Sequence, residues 1–290
     1  MVNVNHPSLS FEVFPPNTAA GTANIKETLD RLQALNPNFI SVTCSNNKSN
    51  IEETTLKLAG YINNTLKVPA IAHLPAAYLN TQQVTRILTE LDSLHIHQLL
   101  ALRGDIIPEV PRKDDFKYAS DLIRFVHAQK PGFKISGACY PEIHPESPDL
   151  VSDIRYLKQK VDAGCNQLIT QLFFDNDRFF TFKENCALAG IKVPIIAGIM
   201  PITNRKQALR LIKTTSAHLP KKFLAIFDKY EHDPASLRTA GLAYAVDQIV
   251  DLITRGAAGI HLYTMNHAET AINIQNTIGS LFNSSAQLNN

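Results

Sequence analysis

In this 290-residue chain, the polar residues best suited to chemistry recur where a short apolar run ends. Glu12 stands between Phe11 and Val13, and Thr43 closes the run that starts at Phe39. His73 and Arg103-Gly104-Asp105 end the next two runs. Tyr140, Glu142 and His144 follow a fifth, Gln171 ends a sixth, Asn204 and Gln207 follow a seventh, and Tyr263, Asn266 and His267 an eighth. A carboxyl group in apolar surroundings has its proton affinity raised by desolvation, which suits a general acid, and Glu12 has that setting. Pro15-Pro16 stiffens the exit after it, and Gly104 permits close backbone approach to a ligand. Plainer readings stand beside these. Glu12 could be a strand carboxylate facing water, and Asp105 could simply pair with Arg103. His73 could be a satisfied core histidine and Gln171 a structural amide. Asp153 and Lys160 taken alone read as an ordinary solvated helix face.

These residues need elements to position them. The apolar runs 9–14, 39–43, 70–74, 98–102, 134–140, 167–173, 194–199 and 259–263 read as strands. Several are apolar on consecutive residues, as parallel strands covered on both faces are. Between them, residues 25–35, 51–66, 81–94, 118–128, 150–163 and 178–189 have helical spacing, and Gly164 stands where a helix C-cap is expected. Residues 203–255 exceed one crossover and predict two or three helices. Eight strands with helical crossovers predict a (β/α)₈ TIM barrel, one domain over residues 1–290, with the polar tail 283–290 frayed. An open doubly wound sheet is the alternative, but no Gly-x-Gly-x-x-Gly follows the first strand. In a barrel, groups at the C-terminal strand ends share one open face, so the polar residues above converge. His95 and His97 precede the fourth strand, on the opposite face, which argues against a metal site there.

Composition narrows the partners. Twenty-eight basic and 26 acidic residues leave a net charge of +2, giving no electrostatic reason to expect nucleic acid or an anionic membrane. No apolar run approaches a membrane span, and the first residues lack the basic-then-apolar pattern of a signal peptide. Cys44, Cys139, Cys165 and Cys186 form no Cys-x-x-Cys pair and read as reduced thiols of a cytoplasmic protein.

Together these segments resemble the methylenetetrahydrofolate reductase family, in its short bacterial form. The blocks are Ser10-Phe11-Glu12-Val13-Phe14-Pro15-Pro16, Ser41-Val42-Thr43, Ala101-Leu102-Arg103-Gly104-Asp105 and Tyr118-Ala119-Ser120-Asp121-Leu122. After them come Tyr140-Pro141-Glu142-Ile143-His144-Pro145-Glu146, Lys158-Gln159-Lys160-Val161-Asp162-Ala163-Gly164, Ile169-Thr170-Gln171-Leu172-Phe173-Phe174-Asp175, Gly198-Ile199-Met200-Pro201-Ile202-Thr203-Asn204 and Tyr263-Thr264-Met265-Asn266. Any one is weak; in this order, from Ser10 to Asn266, they are specific.

The resemblance implies FAD as cofactor, NADH or NADPH as donor, methylenetetrahydrofolate as substrate, and a homo-oligomer. Hydride passes through the flavin in a ping-pong order. By the same resemblance, Glu12 is the acid that helps open the imidazolidine ring to an iminium, and Asp105 stabilises the developing cation. Thr43, His73, Arg103, Gly104, Asp105, Tyr118, Ala119, Tyr140, His144, Asp153 and Lys160 match FAD positions. Asp105, Gln171, Gln207 and His267 match substrate positions. Arg103, His144 and Lys160 supply donors suited to a pyrophosphate.

The chain departs from the family in places. Cys44, Ser45, Asn46 and Asn47 replace an aromatic residue and small, Gly-rich ones. Tyr156 and Gln159 replace an Asn and an Arg that help hold FAD, and His267 replaces a folate-contacting Arg. Losing a charged hydrogen bond costs about 1.5–3 kcal/mol. The alternatives are therefore a divergent member with another donor or pterin, or a non-catalytic folate-binding barrel without flavin.

Overall fold

The computed structural model describes residues 6–16, 19–44, 51–106, 111–214 and 217–282, with backbone only at 19, 20, 22, 23, 52 and 211–214. The substituted positions Ser45, Asn46 and Asn47 and the tail 283–290 lie outside the described residues.

Eight parallel strands close into a barrel in sequence order: β1 Ser8–Val13, β2 Phe39–Val42, β3 Ala70–Pro75, β4 Gln98–Leu102, β5 Lys134–Cys139, β6 Gln167–Thr170, β7 Ile195–Ile199 and β8 Gly259–Tyr263. The (β/α)₈ expectation holds, and the open sheet is excluded by the pairing of β1 with β8. The outer layer is α1 Ala19–Gln33, α2 Lys57–Gly60, α3 Thr81–Ser93, α4 Ala119–Gln129, α5 Leu150–Asp162, α6 Asn176–Leu188, α7 Arg205–Thr214, α8 Lys221–Tyr230, α9 Pro234–Thr254 and α10 Ala268–Ile278. π-Helical turns over Glu52–Leu56 and Tyr61–Thr65 flank α2, so the predicted helix 51–66 is wound unevenly. Gly164 takes φ +118°, as its capping position requires.

Strand alternation builds two cores. Outward residues such as Phe11, Ile40, Leu74, Leu99, Ile135 and Leu262 pack under the helices. Phe39, Ile71, Leu100, Ile169 and Ile196 fill the barrel interior. Residues paired across parallel strands point to the same side. The register Ser10↔Phe39, Glu12↔Ser41, Ser10↔His261 and Leu100↔His73 therefore turns Ser10, Glu12, Ser41, His73 and His261 inward.

The sequence-based reading departs from this most at the sixth strand and at the final helix, and it holds over residues 203–255. The sixth strand was expected to reach residue 173 and stops at Thr170. Beyond it, Phe173 stacks on Phe179 (5.4 Å) and Phe174 packs on Phe223 (4.6 Å), so this apolar run serves the helical layer. Apolar residues read alike whichever core buries them. Residues 203–255 hold three helices; Asp233 caps α9 by accepting from the N–H groups of Ala235 and Ser236, with Pro234 at the first helical position. The final helix α10 had no counterpart in the sequence pattern, although Ala268, Ala271, Ile274 and Ile278 bury one stripe of it. All four cysteines are free, and burial pushes the Cys165 and Cys186 thiols up to about 11 and about 12.

Candidate active site

Glu12 is the penultimate residue of β1, and its side chain is 12% exposed, so it does not face water. One carboxyl oxygen lies 3.6 Å from His73 Nε2 and 3.7 Å from His261 Nε2. Burial lowers the His73 pKa to about 4, the nearby Glu12 opposing and His261 adding to the shift. His73 is therefore neutral at physiological pH, and its Nε2 is buried with no hydrogen-bond partner among the described residues. A satisfied core histidine would not leave that atom orphaned.

His261 sits directly below. It is fully buried and stacked on Phe39 at 5.5 Å. Its Nδ1 lies 2.8 Å from Ser10 Oγ, and its Nε2 lies 3.3 Å from Ser41 Oγ. The Ser10 hydroxyl also reaches the Ile260 carbonyl (3.2 Å), so the two serines tie the buried imidazole to β1 and β2 beneath the Glu12 carboxyl. Sequence reading missed His261, Ser10 and Ser41. The available signal was alternation: Ser10 is two residues from Glu12, and His261 two from Tyr263.

Tyr263 closes this wall. Its hydroxyl donates to the Thr170 carbonyl at 2.6 Å, and burial, with Glu12 adding, raises its pKa well above the usual value. The charge of Asp105 acts on Tyr140, whose pKa is raised chiefly by burial, and Tyr140 in turn acts on Tyr263. Glu12, near the C-terminal end of β1, and Asp105, just past the C-terminal end of β4, belong to the same face of the barrel.

Opposite Glu12 stands the β4 exit. Gly104 adopts φ +85°, a left-handed turn that glycine enters without strain. Asp105 is exposed, and its carbonyl accepts from the Tyr78 hydroxyl at 2.8 Å. The Arg103 guanidinium bonds both carboxyl oxygens of Glu146, which raises the Arg103 pKa and lowers that of Glu146. So Arg103 has taken Glu146 as its ion partner.

The loop after β5 brings the next group. The Tyr140 ring meets His144 edge-on at 4.5 Å. His144 Nδ1 accepts from the Glu146 N–H (3.1 Å), and burial, seconded by Arg103, lowers its pKa. Asp153 on α5 accepts from Ser147 Oγ (2.6 Å) and the His144 N–H (3.3 Å), pinning that loop. Lys160, two turns on, donates to the Ala138 carbonyl at 2.5 Å with its ammonium enclosed, and burial lowers its pKa. Neither residue is a solvated helix face, which corrects the plainer reading. Glu142 accepts from the His218 N–H at 2.5 Å while its other oxygen is buried and unpartnered; burial raises its pKa.

The remaining expected positions are more peripheral. Thr43 Oγ1 is buried beside β2 with no hydrogen-bond partner among the described residues. Tyr118 caps α4 ahead of Ala119 and is 52% exposed, its N–H held by Asp121 (2.9 Å). Gln171 is exposed just past β6, its N–H bound to the Cys139 carbonyl (2.8 Å). Gln207 lies in α7, its amide accepting from the Thr203 N–H (3.1 Å) and donating to the Pro201 carbonyl (3.3 Å). It is spent on its own loop. His267 is exposed at the start of α10.

A family model described as methylenetetrahydrofolate reductase matches residues 1–279. The 5,10-methylenetetrahydrofolate reductases of Pectobacterium carotovorum and Escherichia coli are each 35% identical over 272 residues, covering 94% of this chain and 90% of theirs. A probable methylenetetrahydrofolate reductase (NADH) of Oryza sativa is 34% identical over 93% of this chain and 48% of that protein. The solved structure of an uncharacterized Clostridium thermocellum protein that binds two copies of 5-methyl-5,6,7,8-tetrahydrofolic acid shares the fold, with TM-score 0.70 and 15% identity over 96% of this chain and 97% of that one.

Proposed function

Since the chain belongs to the methylenetetrahydrofolate reductase family, we propose that it reduces 5,10-methylenetetrahydrofolate to 5-methyltetrahydrofolate with NADH or NADPH through bound FAD, in a ping-pong order. The observation that carries this reading is the inward, nearly enclosed Glu12 carboxyl set between two histidine nitrogens at 3.6 and 3.7 Å. When bound, the flavin accepts hydride from the nicotinamide and delivers it to the folate.

The residues present fit such a group. Thr43 Oγ1 and His73 Nε2 are buried polar atoms awaiting partners, as a ring rich in donors and acceptors requires. Gly104 supplies close backbone approach, and Tyr118, Ala119, Tyr140 and Asp153 shape the same side. Arg103, His144 and Lys160 would hold the phosphates. Arg103 must first leave Glu146, and Lys160 the Ala138 carbonyl.

The chain's own chemistry is proton chemistry. Glu12 gives a proton to the folate nitrogen that releases the methylene carbon, leaving an iminium open to hydride. His261 Nε2 and His73 Nε2, 3.7 and 3.6 Å away, line the carboxyl on its inner side. Asp105 places negative charge toward the developing cation, and exposed Gln171 and His267 would bind the substrate, joined by Gln207 once its amide leaves the Thr203 N–H and the Pro201 carbonyl.

The test is an absorbance spectrum followed by anaerobic half-reactions. Purified protein should be yellow and bleach with NADH. Glu12→Gln should retain flavin bleaching and lose folate reduction by roughly a hundredfold or more. Survival of both half-reactions in that variant rejects the acid role. A second reading is favoured by the enclosed Lys160 ammonium together with Tyr156 and Gln159 where a family Asn and Arg stand: a member with weak flavin binding. Colourless protein that binds folate would select it.

A further inference from the structure

We propose that the N-terminal face of the barrel carries a second binding site, for a phosphate-bearing small molecule. A basin of about 520 Å³ opens at the feet of β3, β4 and β5, lined by Asn63, Lys67, His95, His97, Gln98 and Lys134 among others. That volume is in the range of small-molecule sites. It lies at the end away from Glu12, so concavity points to one face and the reaction's carboxylates to the other. The two are separate sites.

Backbone conformation marks the basin. At six of the turns where helices return to strands on this face, the chain passes through a left-handed residue. Asn36 (φ +52°), Gly164 (φ +118°), Gly190 (φ +77°) and Gly256 (φ +84°) do this with the residues that tolerate it best. At the two consecutive turns that border the basin the position is held instead by Lys67 (φ +58°) and His95 (φ +55°). Histidine enters that region more readily than most side chains but lysine does not, so Lys67 held there at the basin wall points to use of its side chain. The Asn63 amide donates to the Leu94 and His95 carbonyls (3.3 and 3.2 Å), fixing the His95 turn.

Charge is consistent with that. No Asp or Glu lines the basin, and neither Lys67 nor Lys134 has an ion partner among the described residues. The carboxylate that reaches a lining residue is Asp92, 3.1 Å from His97, and Lys130 also binds it. Phe133 holds the His97 ring edge-on at 5.6 Å. With His97 Nε2 turned to Asp92, His95 is the imidazole left to donate beside the two ammonium groups. Two ammonium groups, that imidazole and the Gln98 amide around one basin suit the oxygens of a phosphate or diphosphate.

The experiment is calorimetric titration of the FAD-loaded protein with inorganic pyrophosphate, and separately with ADP. A Lys67→Gly/Lys134→Ala variant should weaken pyrophosphate binding at least tenfold, whereas Lys222→Ala, on the outer helical layer, should leave it unchanged. Glycine accepts the backbone at position 67, and an unaltered melting curve checks the fold. ADP binding at least tenfold tighter than pyrophosphate identifies a nucleotide as the occupant; equal affinity identifies free phosphates. Absence of binding to the unmodified protein, or binding kept in the basin variant, overturns the proposal.

Discussion

Burial governs how His73 responds to acid. Its pKa of about 4 in the fold compares with about 6.5 when unfolded, so between those values the unfolded chain binds a proton that the native protein refuses. Stability therefore falls as pH drops from about 6.5 to 4, by roughly 3 kcal/mol in total, and is unaffected by this group above that window. In His73→Gln, denaturant unfolding across the same range should show a flatter dependence by about that amount; a curve parallel to the parent's refutes the assignment. The histidine was legible as a polar residue at a strand end. Its neutrality was not, because desolvation is a property of the packed barrel. His261 was harder still: within Gly259–Tyr263 it looks like a core imidazole, and its partners Ser10 and Ser41 stand 251 and 220 positions away.

The strands and their order were readable because runs buried on both faces leave long apolar stretches, and the polar residue ending each run marked its C-terminal end. Boundaries failed where an apolar run changed the layer it serves, as at Phe173 and Phe174, and the peripheral helices were read least well. Contacts between strands carry information that spacing does not. Gly198 on β7 donates its N–H to Thr170 Oγ1 at 2.9 Å, and a methyl group added there would come within 2.3 Å of the Thr170 carbonyl and 2.6 Å of the Tyr263 hydroxyl. Gly198→Ala should cost about 1–3 kcal/mol as overpacking and displace the Tyr263 hydroxyl from Thr170. Urea unfolding reads the first effect, and an unchanged midpoint contradicts it.

Across the whole molecule, closure depends on the seam between β1 and β8. Above the paired strands, the Asn266 side chain accepts from the Phe14 N–H (2.8 Å) and donates to the Phe14 carbonyl (3.0 Å), while Thr264 Oγ1 donates to the Glu12 carbonyl (2.7 Å). Asn266 does this at φ +59°, which asparagine tolerates better than alanine. Asn266→Ala should destabilise the barrel by about 2–3 kcal/mol, two hydrogen bonds and a strained backbone together. The Phe14 amide should then exchange with deuterium faster than amides of β4 and β5; equal protection rejects the seam as the weak point.

The same seam sets a timetable for synthesis. Glu12 leaves the ribosome early, but the histidine beneath it and the clamp beside it belong to the last strand and the loop after it, about 250 residues later. At ordinary elongation rates that interval is on the order of ten to fifty seconds. Until it ends, β1 has an unpaired edge and its carboxyl has no enclosure, so a nascent chain carries the acid residue long before it carries the acid site.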